Sequence, residues 1–381
     1  IIAILDKISA SIKSDSASDE ERVDNDNDDD INDTNMTIAQ LNEEEAKLAK
    51  ILDRLLVPLE GDKIIQIGTT VHLYGSDKTL LQLLTNLDKT KFNPVVVIPL
   101  DGPLKEELEK ENIKVVIGPV LKLYRKMFMP KNIVLFLKQL KTAVLNLDEL
   151  NKEHKFNIIY SNTLAVLLGM IYAKKRKIKH IWHVHEIIVH PKKIAYVFPK
   201  LLNKYADIVV CNSKATMDNL VLREKELVNK TLVIHNGLKP QNDDYVKISK
   251  EDLGFDKDDF IITLIGRINR LKGHKWLLNT FINNFKNNKN IKLLFVGSPV
   301  VEQEYYLEEI ECIIKEKNLG EQVKIIGFKK DLRPFFYLTD ILAVPSTEAE
   351  SFGLVALEAM LSKKPVIGSN HGGLTEIIVD N

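Results

Sequence analysis

The chain has 381 residues, a length that exceeds one ordinary domain and predicts two. Hydrophobic residues make up 45% of it and charged residues 28%, the composition of a soluble globular protein. No apolar run reaches the roughly 18–20 residues of a membrane-spanning helix, so no helical span is predicted. With only Cys211 and Cys312, a disulfide framework is excluded and a reducing compartment is expected.

The formal net charge of zero hides an uneven distribution. Residues 1–60 carry 6 basic and 16 acidic residues, a net charge of −10, which leaves 47 basic and 37 acidic residues, or +10, for the rest. A moderately basic body favours phosphate-bearing ligands or an anionic membrane surface. No nucleic-acid-binding motif is present, so nucleic acid is not an expected partner.

Residues 1–61 are expected to form an acidic tail or linker. Residues 14–36 contain almost nothing apolar and predict disorder. A short amphipathic helix is predicted over 37–56. Because the first residue is Ile, we expect the chain to be a fragment or a processed product.

Strands and helices alternate through residues 62–238, which predicts a parallel sheet covered by helices. Strands are predicted at 63–69, 93–98, 113–117, 156–160, 179–184, 206–211 and 231–234. The helices between them are predicted at 76–89, 103–111, 131–150, 162–176 and 213–222.

A polar break at 239–257 predicts an interdomain linker, after which the alternation restarts. Strands are predicted at 260–266, 291–296, 322–326, 340–344 and 364–367, and helices at 274–286, 302–317 and 353–361. The sequence therefore predicts an α/β protein of two Rossmann-like domains, 62–238 and 239–381, that face across a cleft at the carboxyl ends of their strands. The second domain is expected to be truncated at its C-terminus.

The most informative motif holds two carboxylates, Glu350 and Glu358. Glu350 precedes a Ser-Phe-Gly turn, and Glu358 lies on a helix that is otherwise apolar and is therefore expected to be buried. A buried carboxylate needs a partner, and a polyol can donate two hydroxyls to it. The N–H groups at the helix start suit an anion such as a diphosphate. The alternative is that Glu350 is a surface loop residue and that Glu358 is a partner in a structural ion pair.

A basic loop follows the first strand of the second half. Gly266 permits a tight turn, and Arg267 and Lys272 can hold two phosphates. The alternative is a solvated basic loop. Gly297 ends the next strand, where the backbone can approach a nucleotide.

The first half offers a second set of polar residues at strand ends. Gly75 lets backbone approach a ligand at a helix start. Strand alternation puts His183 and His185 on one face, where His185 is expected to bind a sugar hydroxyl. The alternatives are a structural histidine or, less favoured, zinc. Asn162 is either a ligand contact or a helix cap.

In this order, these segments resemble the retaining glycosyltransferases of family four, which have the GT-B fold. The resemblance covers about residues 62–381. It rests on Gly75 with its helix, 182–186, 206–213, 233–238, Gly266-Arg267 with Lys272-Gly273, 350–358, and Gly372-Gly373 with Glu376.

The resemblance implies a role for each candidate residue. Arg267 and Lys272 would hold the donor diphosphate, Glu350 would contact the donor sugar, and His185 would lie beside the transferred sugar. The remaining donor-binding residues would be Glu358 on the ribose hydroxyls, the backbone amides of Phe352, Gly353 and Leu354, and the glycines Gly75 and Gly297.

The implied activity is hexosyl transfer from a UDP- or GDP-sugar to a hydroxyl of a glycan, lipid-linked or protein-linked acceptor, with retention and no metal. Polysaccharide or glycoconjugate biosynthesis in the cytoplasm is the expected setting. The alternatives are a sugar-nucleotide epimerase of the same fold, which would convert the donor without an acceptor, or a non-catalytic scaffold.

The segment 121–129 mixes basic with large apolar residues, and Lys131, Lys138 and Lys141 follow it. Such a segment can meet an anionic membrane surface, which would place the protein peripherally at the inner face of the membrane. The alternative is a solvated basic loop over a core helix.

Overall fold

A computed structural model describes residues 62–67, 75–89, 92–121, 130–238, 244–300 and 302–379. The tail predicted over 1–61 and most of the basic segment 121–129 lie outside these ranges. The chain divides into two compact units. Among the described residues, the first unit contains those up to Cys211 together with Met217–Ile234, and the second contains Asn212–Thr216 and those from His235 onward.

The first unit is built on a seven-stranded sheet of order β3-β2-β1-β4-β5-β6-β7, in which every pairing is parallel. The strands are β1 Asp62–Ile67, β2 Phe92–Ile98, β3 Lys114–Ile117, β4 Ile158–Asn162, β5 Lys179–Val184, β6 Ile208–Cys211 and β7 Thr231–Val233. The connecting helices are α1 Gly75–Thr85, α2 Pro103–Lys110, α3 Pro130–His154, α4 Leu168–Arg176, α5 Lys192–Tyr205 and α6 Lys214–Val221. The first three residues of α6 belong to the second unit.

Both faces of this sheet are covered. Val95 and Val97 of β2 pack into one buried cluster, whereas Val96 and Ile98 pack into another. Successive side chains of a strand point to opposite faces, so a run of four buried apolar residues requires helices on both sides. This is the burial expected of a parallel sheet.

The second unit contains a five-stranded parallel sheet of order β10-β9-β8-β11-β12. Its strands are β8 Phe260–Ile265, β9 Ile291–Val296, β10 Val323–Ile326, β11 Ile341–Val344 and β12 Val366–Gly368. Its helices are α7 His274–Phe285, α8 Tyr305–Glu316, α9 Arg333–Leu338 and α10 Leu354–Leu361. Phe295 belongs to one buried cluster and its neighbours Leu294 and Val296 to another, so this sheet too is covered on both faces.

The predicted α/β class with parallel sheets is confirmed, but three helices differ from the prediction. The helix predicted over 162–176 begins at Leu168, because Thr163 adopts a φ of +139° that no helix allows. Helix α5 was not predicted, since it contains Pro199, which normally ends a helix. Helix α9 has only six residues, too few to show a period, and was also missed.

Candidate functional site

In the second unit, the loops that follow β8, β9 and β10 are joined at the carboxyl edge of the sheet. The N–H of Ile268 donates to the carbonyl of Ser298 at 3.0 Å, and the N–H of Phe328 donates to the Ser298 hydroxyl at 2.8 Å. Gly297 has a φ of +150°, and a Cβ there would lie 1.9 Å from the carbonyl oxygen of Gly266. Only glycine fits there, so Gly297 lets the loop after β9 approach the loop after β8, and its approach to a nucleotide stays a prediction.

The loops after β8, β11 and β12 are joined in the same way. The N–H of Thr347 donates to the carbonyl of Leu271 at 2.9 Å, and the Ser369 hydroxyl donates to the carbonyl of Ser346 at 2.8 Å. Gly273, with a φ of +76°, leaves no room for a Cβ, which would lie 1.9 Å from the Pro345 oxygen. These contacts fix the backbone around the candidate residues.

Lys272 and Glu350 meet in this frame. The Lys272 ammonium lies 2.5 Å from Oε1 of Glu350, and the Ser346 hydroxyl donates to the same oxygen at 2.5 Å. Burial raises the pKa of Glu350, but Lys272, the Ser346 hydroxyl and Arg267 outweigh it and hold that pKa below its ordinary value. Glu350 is therefore ionised at neutral pH, with two cationic side chains near it. The sequence motifs gave both residues but not their pairing.

The other residues of the motif surround the start of helix α10. Gly353 precedes the helix with a φ of +98°, and Phe352 is buried with its ring 6.0 Å from that of His235. Leu354 is half-buried and begins the helix, whose first N–H groups have no acceptor within it. Glu358 is 8% exposed, one turn further along.

The helix is less buried than its sequence predicted. Only Ala356, Glu358 and Ala359 are buried, and Leu361 is 40% exposed. Helix α10 packs against β11 and β12 with one side, and residues on its other side, such as Leu361, are exposed. The expectation of burial all round was wrong.

A third carboxylate, Glu376, connects segments that are distant in sequence. It accepts from the backbone N–H groups of Lys214 and Ala215 at 2.8 and 2.9 Å, and from Nε2 of His235 at 2.8 Å. It thus caps the N-terminus of α6. Apart from its place in the family motif, the sequence gave no signal for this contact.

In the first unit, Asn162 and His185 lie together at the carboxyl ends of β4 and β5. The Asn162 side chain is 1% exposed and contacts Nε2 of His185 at 2.9 Å and the backbone oxygen of Ser76 at 3.1 Å. The alternative of a helix cap for Asn162 is wrong, because α4 starts six residues later. Gly75 begins helix α1 and is exposed, next to Ser76.

His183 lies on the same side of β5 as His185, as strand alternation predicted. The two rings have centroids 3.9 Å apart, and Nδ1 of His183 lies 2.6 Å from the Tyr160 hydroxyl. Burial lowers the pKa of His185 to about 4 and that of His183 well below its ordinary value, so both rings are neutral at pH 7. Within the ranges given above, no group of three or more His, Cys, Asp or Glu side chains is placed to hold a metal ion.

The chain matches two families of known proteins. The family described as glycosyl transferases group 1 matches residues 246–381, and glycosyltransferase family 4 matches residues 74–242. The D-inositol 3-phosphate glycosyltransferase of Corynebacterium kroppenstedtii is 31% identical over 184 residues, which are 46% of this chain and 41% of that protein. The lipopolysaccharide 1,2-N-acetylglucosaminetransferase of Salmonella typhimurium is 30% identical over 135 residues, 34% of this chain and 35% of that protein.

Among solved structures, Anabaena Alr3699/HepE in complex with UDP-glucose is similar in fold, with a TM-score of 0.70 and 24% identity over 84% of this chain and 83% of that one. The aligned parts span about two fifths or less of the two curated relatives named above. The two family matches leave out only residues 1–73 and 243–245. The chain therefore belongs to the group 1, family-four glycosyltransferases.

Proposed function

We propose that this protein transfers a hexose from a UDP- or GDP-sugar to an acceptor hydroxyl, with retention, in polysaccharide or glycoconjugate biosynthesis. The observation that carries the proposal is the Lys272–Glu350 pair, held by interlocked loops at the carboxyl edge of the second sheet. Ligands of open α/β sheets bind at that edge. Relatives named as sugar transferases support the same activity.

The residues of the second unit suit a nucleotide sugar. Arg267, which is exposed, and Lys272 would bind the diphosphate, and the start of helix α10 would supply N–H donors at Phe352, Gly353 and Leu354. The two carboxylates would recognise hydroxyl groups. Glu358 would accept hydrogen bonds from the ribose hydroxyls and Glu350 from a hydroxyl of the donor sugar.

Sugar transfer breaks the bond between the anomeric carbon and the diphosphate, so negative charge grows on the leaving group. Arg267 and Lys272 would stabilise this charge from fixed positions. Since the two cations and the helix start offset the charge of the diphosphate, the proposal needs no divalent metal. Excess EDTA is expected to leave the transfer rate unchanged.

The donor site is tested by the affinity for UDP and GDP. Arg267→Ala should weaken the binding of whichever diphosphate the wild type prefers by about 1.5–3 kcal/mol, the range for a hydrogen bond to a charged group. Arg270→Ala is the matched control, because Arg270 lies in the same loop, is exposed and pairs with Glu348. Calorimetry that shows equal affinities for wild type and Arg267→Ala would refute the donor site.

The reaction class is tested with nucleotide sugars alone and with added acceptors. A transferase releases nucleoside diphosphate, faster when an acceptor is present, whereas an epimerase returns a new nucleotide sugar and releases none. A scaffold does neither. UDP-glucose is the first donor to try, because Alr3699/HepE was crystallised with it.

For the acceptor, we propose a lipid-linked glycan at an anionic membrane surface. A relative from Campylobacter jejuni, 27% identical, is named as a transferase acting on a diphospho-undecaprenol-linked sugar. Helix α3 adds an exposed stripe at helical spacing, in which Val134, Leu135 and Leu145 are 48–55% exposed and Lys138 and Lys141 are exposed beside them. Leu121 does not contribute, since it is buried, and none of the helices described can span a bilayer.

Vesicle sedimentation tests the membrane contact. The protein should pellet with phosphatidylglycerol vesicles at low salt and be released as salt rises, because the attraction is electrostatic. Replacement of Lys138 and Lys141 by Ser should weaken pelleting, whereas replacement of Lys175 and Lys177, exposed lysines near the end of α4, should not. Equal pelleting with neutral and anionic vesicles would contradict the proposal.

A further inference from the structure

The orientation of the Asn162 amide is fixed by a backbone carbonyl. The oxygen of Ser76 can only accept a hydrogen bond, so the group facing it at 3.1 Å is the amide nitrogen of Asn162. The amide oxygen therefore faces Nε2 of His185, 2.9 Å away. Because this oxygen too can only accept, Nε2 must carry the proton and donate it.

The tautomer of His185 follows from that contact. A neutral imidazole carries one proton, and burial keeps this ring neutral at pH 7 by lowering its pKa. With the proton on Nε2, Nδ1 has a lone pair and can only accept. His185 can then bind a hydroxyl that donates to it, but not an anionic oxygen.

Glu186 holds the two strand ends together. One oxygen, Oε2, accepts from the N–H groups of Leu164 and His185 at 3.2 and 3.1 Å, and the other accepts from the Thr163 hydroxyl. This carboxylate therefore ties the residues that follow Asn162 to the backbone of His185.

Glu186 also contacts a residue with a strained backbone, Thr163. Thr163 has a φ of +139°, a backbone conformation that residues other than glycine rarely adopt. Its carbonyl accepts from the indole N–H of the buried Trp182 at 2.8 Å, and its hydroxyl accepts from the N–H of Ala165 at 3.2 Å. The surroundings thus impose this backbone, which places Asn162 opposite His185.

We propose that Asn162 and Glu186 are positioning residues that keep His185 as the Nε2–H tautomer, so that it meets the sugar as a hydrogen-bond acceptor through Nδ1. The inference rests on the proposed function and names a specificity rule. A donor sugar must present a hydroxyl to Nδ1, and an analogue without that hydroxyl loses the contact.

The tautomer can be observed without any ligand. In ¹⁵N-histidine-labelled protein at pH 7, the His185 resonances, assigned with His185→Gln, should show a protonated Nε2 and an unprotonated Nδ1. Asn162→Leu removes the amide at similar volume and should give a mixture of the two tautomers. Asn203→Ala is the control, because Asn203 lies in the same unit and its side-chain amide donates to the carboxylates of Glu224 and Glu226.

A protonated Nδ1 in the wild type, or the same tautomer in wild type and Asn162→Leu, would overturn the proposal. The second variant, Glu186→Gln, keeps an oxygen for the two N–H groups but has no second acceptor for the Thr163 hydroxyl. It should shift the tautomer in the same direction by a smaller fraction. If Glu186→Gln does not fold, Asn162→Leu alone decides.

Kinetics with UDP-glucose give an independent measurement. Both variants should lower kcat by up to about 100-fold, the effect of a misplaced sugar contact, while UDP affinity stays within about twofold of wild type. Loss of UDP affinity in step with kcat would indicate general damage and count against positioning. If the wild type turned over no nucleotide sugar, the proposed function would fail, whereas the NMR result would still decide the tautomer.

Discussion

Lys272 and Glu350 are 78 residues apart in sequence, yet their charged atoms lie 2.5 Å apart. Their side chains are 23% and 15% exposed, so the pair is largely removed from water. In such a place, each charge depends on the other, because an unpaired charge at low exposure loses hydration without compensation. Loss of either charge should therefore destabilise the second unit as well as alter the candidate site.

Replacement of Lys272 by Met should show this coupling through pH. With Lys272 present, the pKa of Glu350 lies below its ordinary value, so the pair contributes stability above about pH 4.5 and loses it as Glu350 is protonated in acid. Lys272→Met should therefore cost about 1–3 kcal/mol at pH 7 and less at pH 4. Urea unfolding at the two pH values measures both.

Lys275→Met is the matched control for this variant. The Lys275 ammonium lies 2.5 Å from Glu309, but the two side chains are 55% and 45% exposed. Exposed pairs contribute only about 0–1 kcal/mol, so the control should change stability little at either pH. An equal cost of Lys272→Met at pH 7 and pH 4 would show that the lost charge pair is not the cause.

At the scale of elements, the N-terminus of helix α6 depends on Glu376, 162 residues away from Lys214. Two N–H groups of the first turn donate to its two carboxylate oxygens, and the negative charge is favourable at that end of a helix. Glu376→Ala should thus destabilise the protein by about 1–2 kcal/mol and speed amide exchange in 212–221. Glu311→Ala, on the exposed face of α8, should do neither. Unchanged exchange in 212–221 would contradict the cap.

Strands and helices could be predicted where apolar residues form a regular pattern in the sequence. β5 and β9 have the bounds that their apolar runs predicted. The start of α4 was not predictable, because Thr163 is held out of a helix by Glu186, a tertiary contact. The candidate residues were found by motif, but their partners were not, since the contacts of Glu350, His185 and Glu376 join residues far apart in sequence.

At the scale of the whole molecule, the two units differ in their buried titratable groups. The first contains His180, His183 and His185, each with its pKa lowered by burial, to about 4 for His180 and His185. It also contains Glu186, whose pKa burial raises. Among the described residues of the second unit, one histidine, His274, has a lowered pKa, about 3.

These shifts predict that acid weakens the first unit more than the second. An unfolded histidine titrates near pH 6.5, so between pH 6.5 and about 4 the unfolded chain binds more protons than the folded one, and stability falls as pH falls. Glu186 acts in the opposite direction, since its raised pKa favours the folded state in acid, but it is one group against three.

Hydrogen exchange at pH 7 and 5.5, corrected for the intrinsic rate, should show a larger loss of protection in β4 and β5 than in β8 and β9. His180→Gln, which removes one of the three groups, should reduce that loss in the first unit and leave the second unchanged. Equal losses in the two sheets would mean that these buried histidines do not control the acid response.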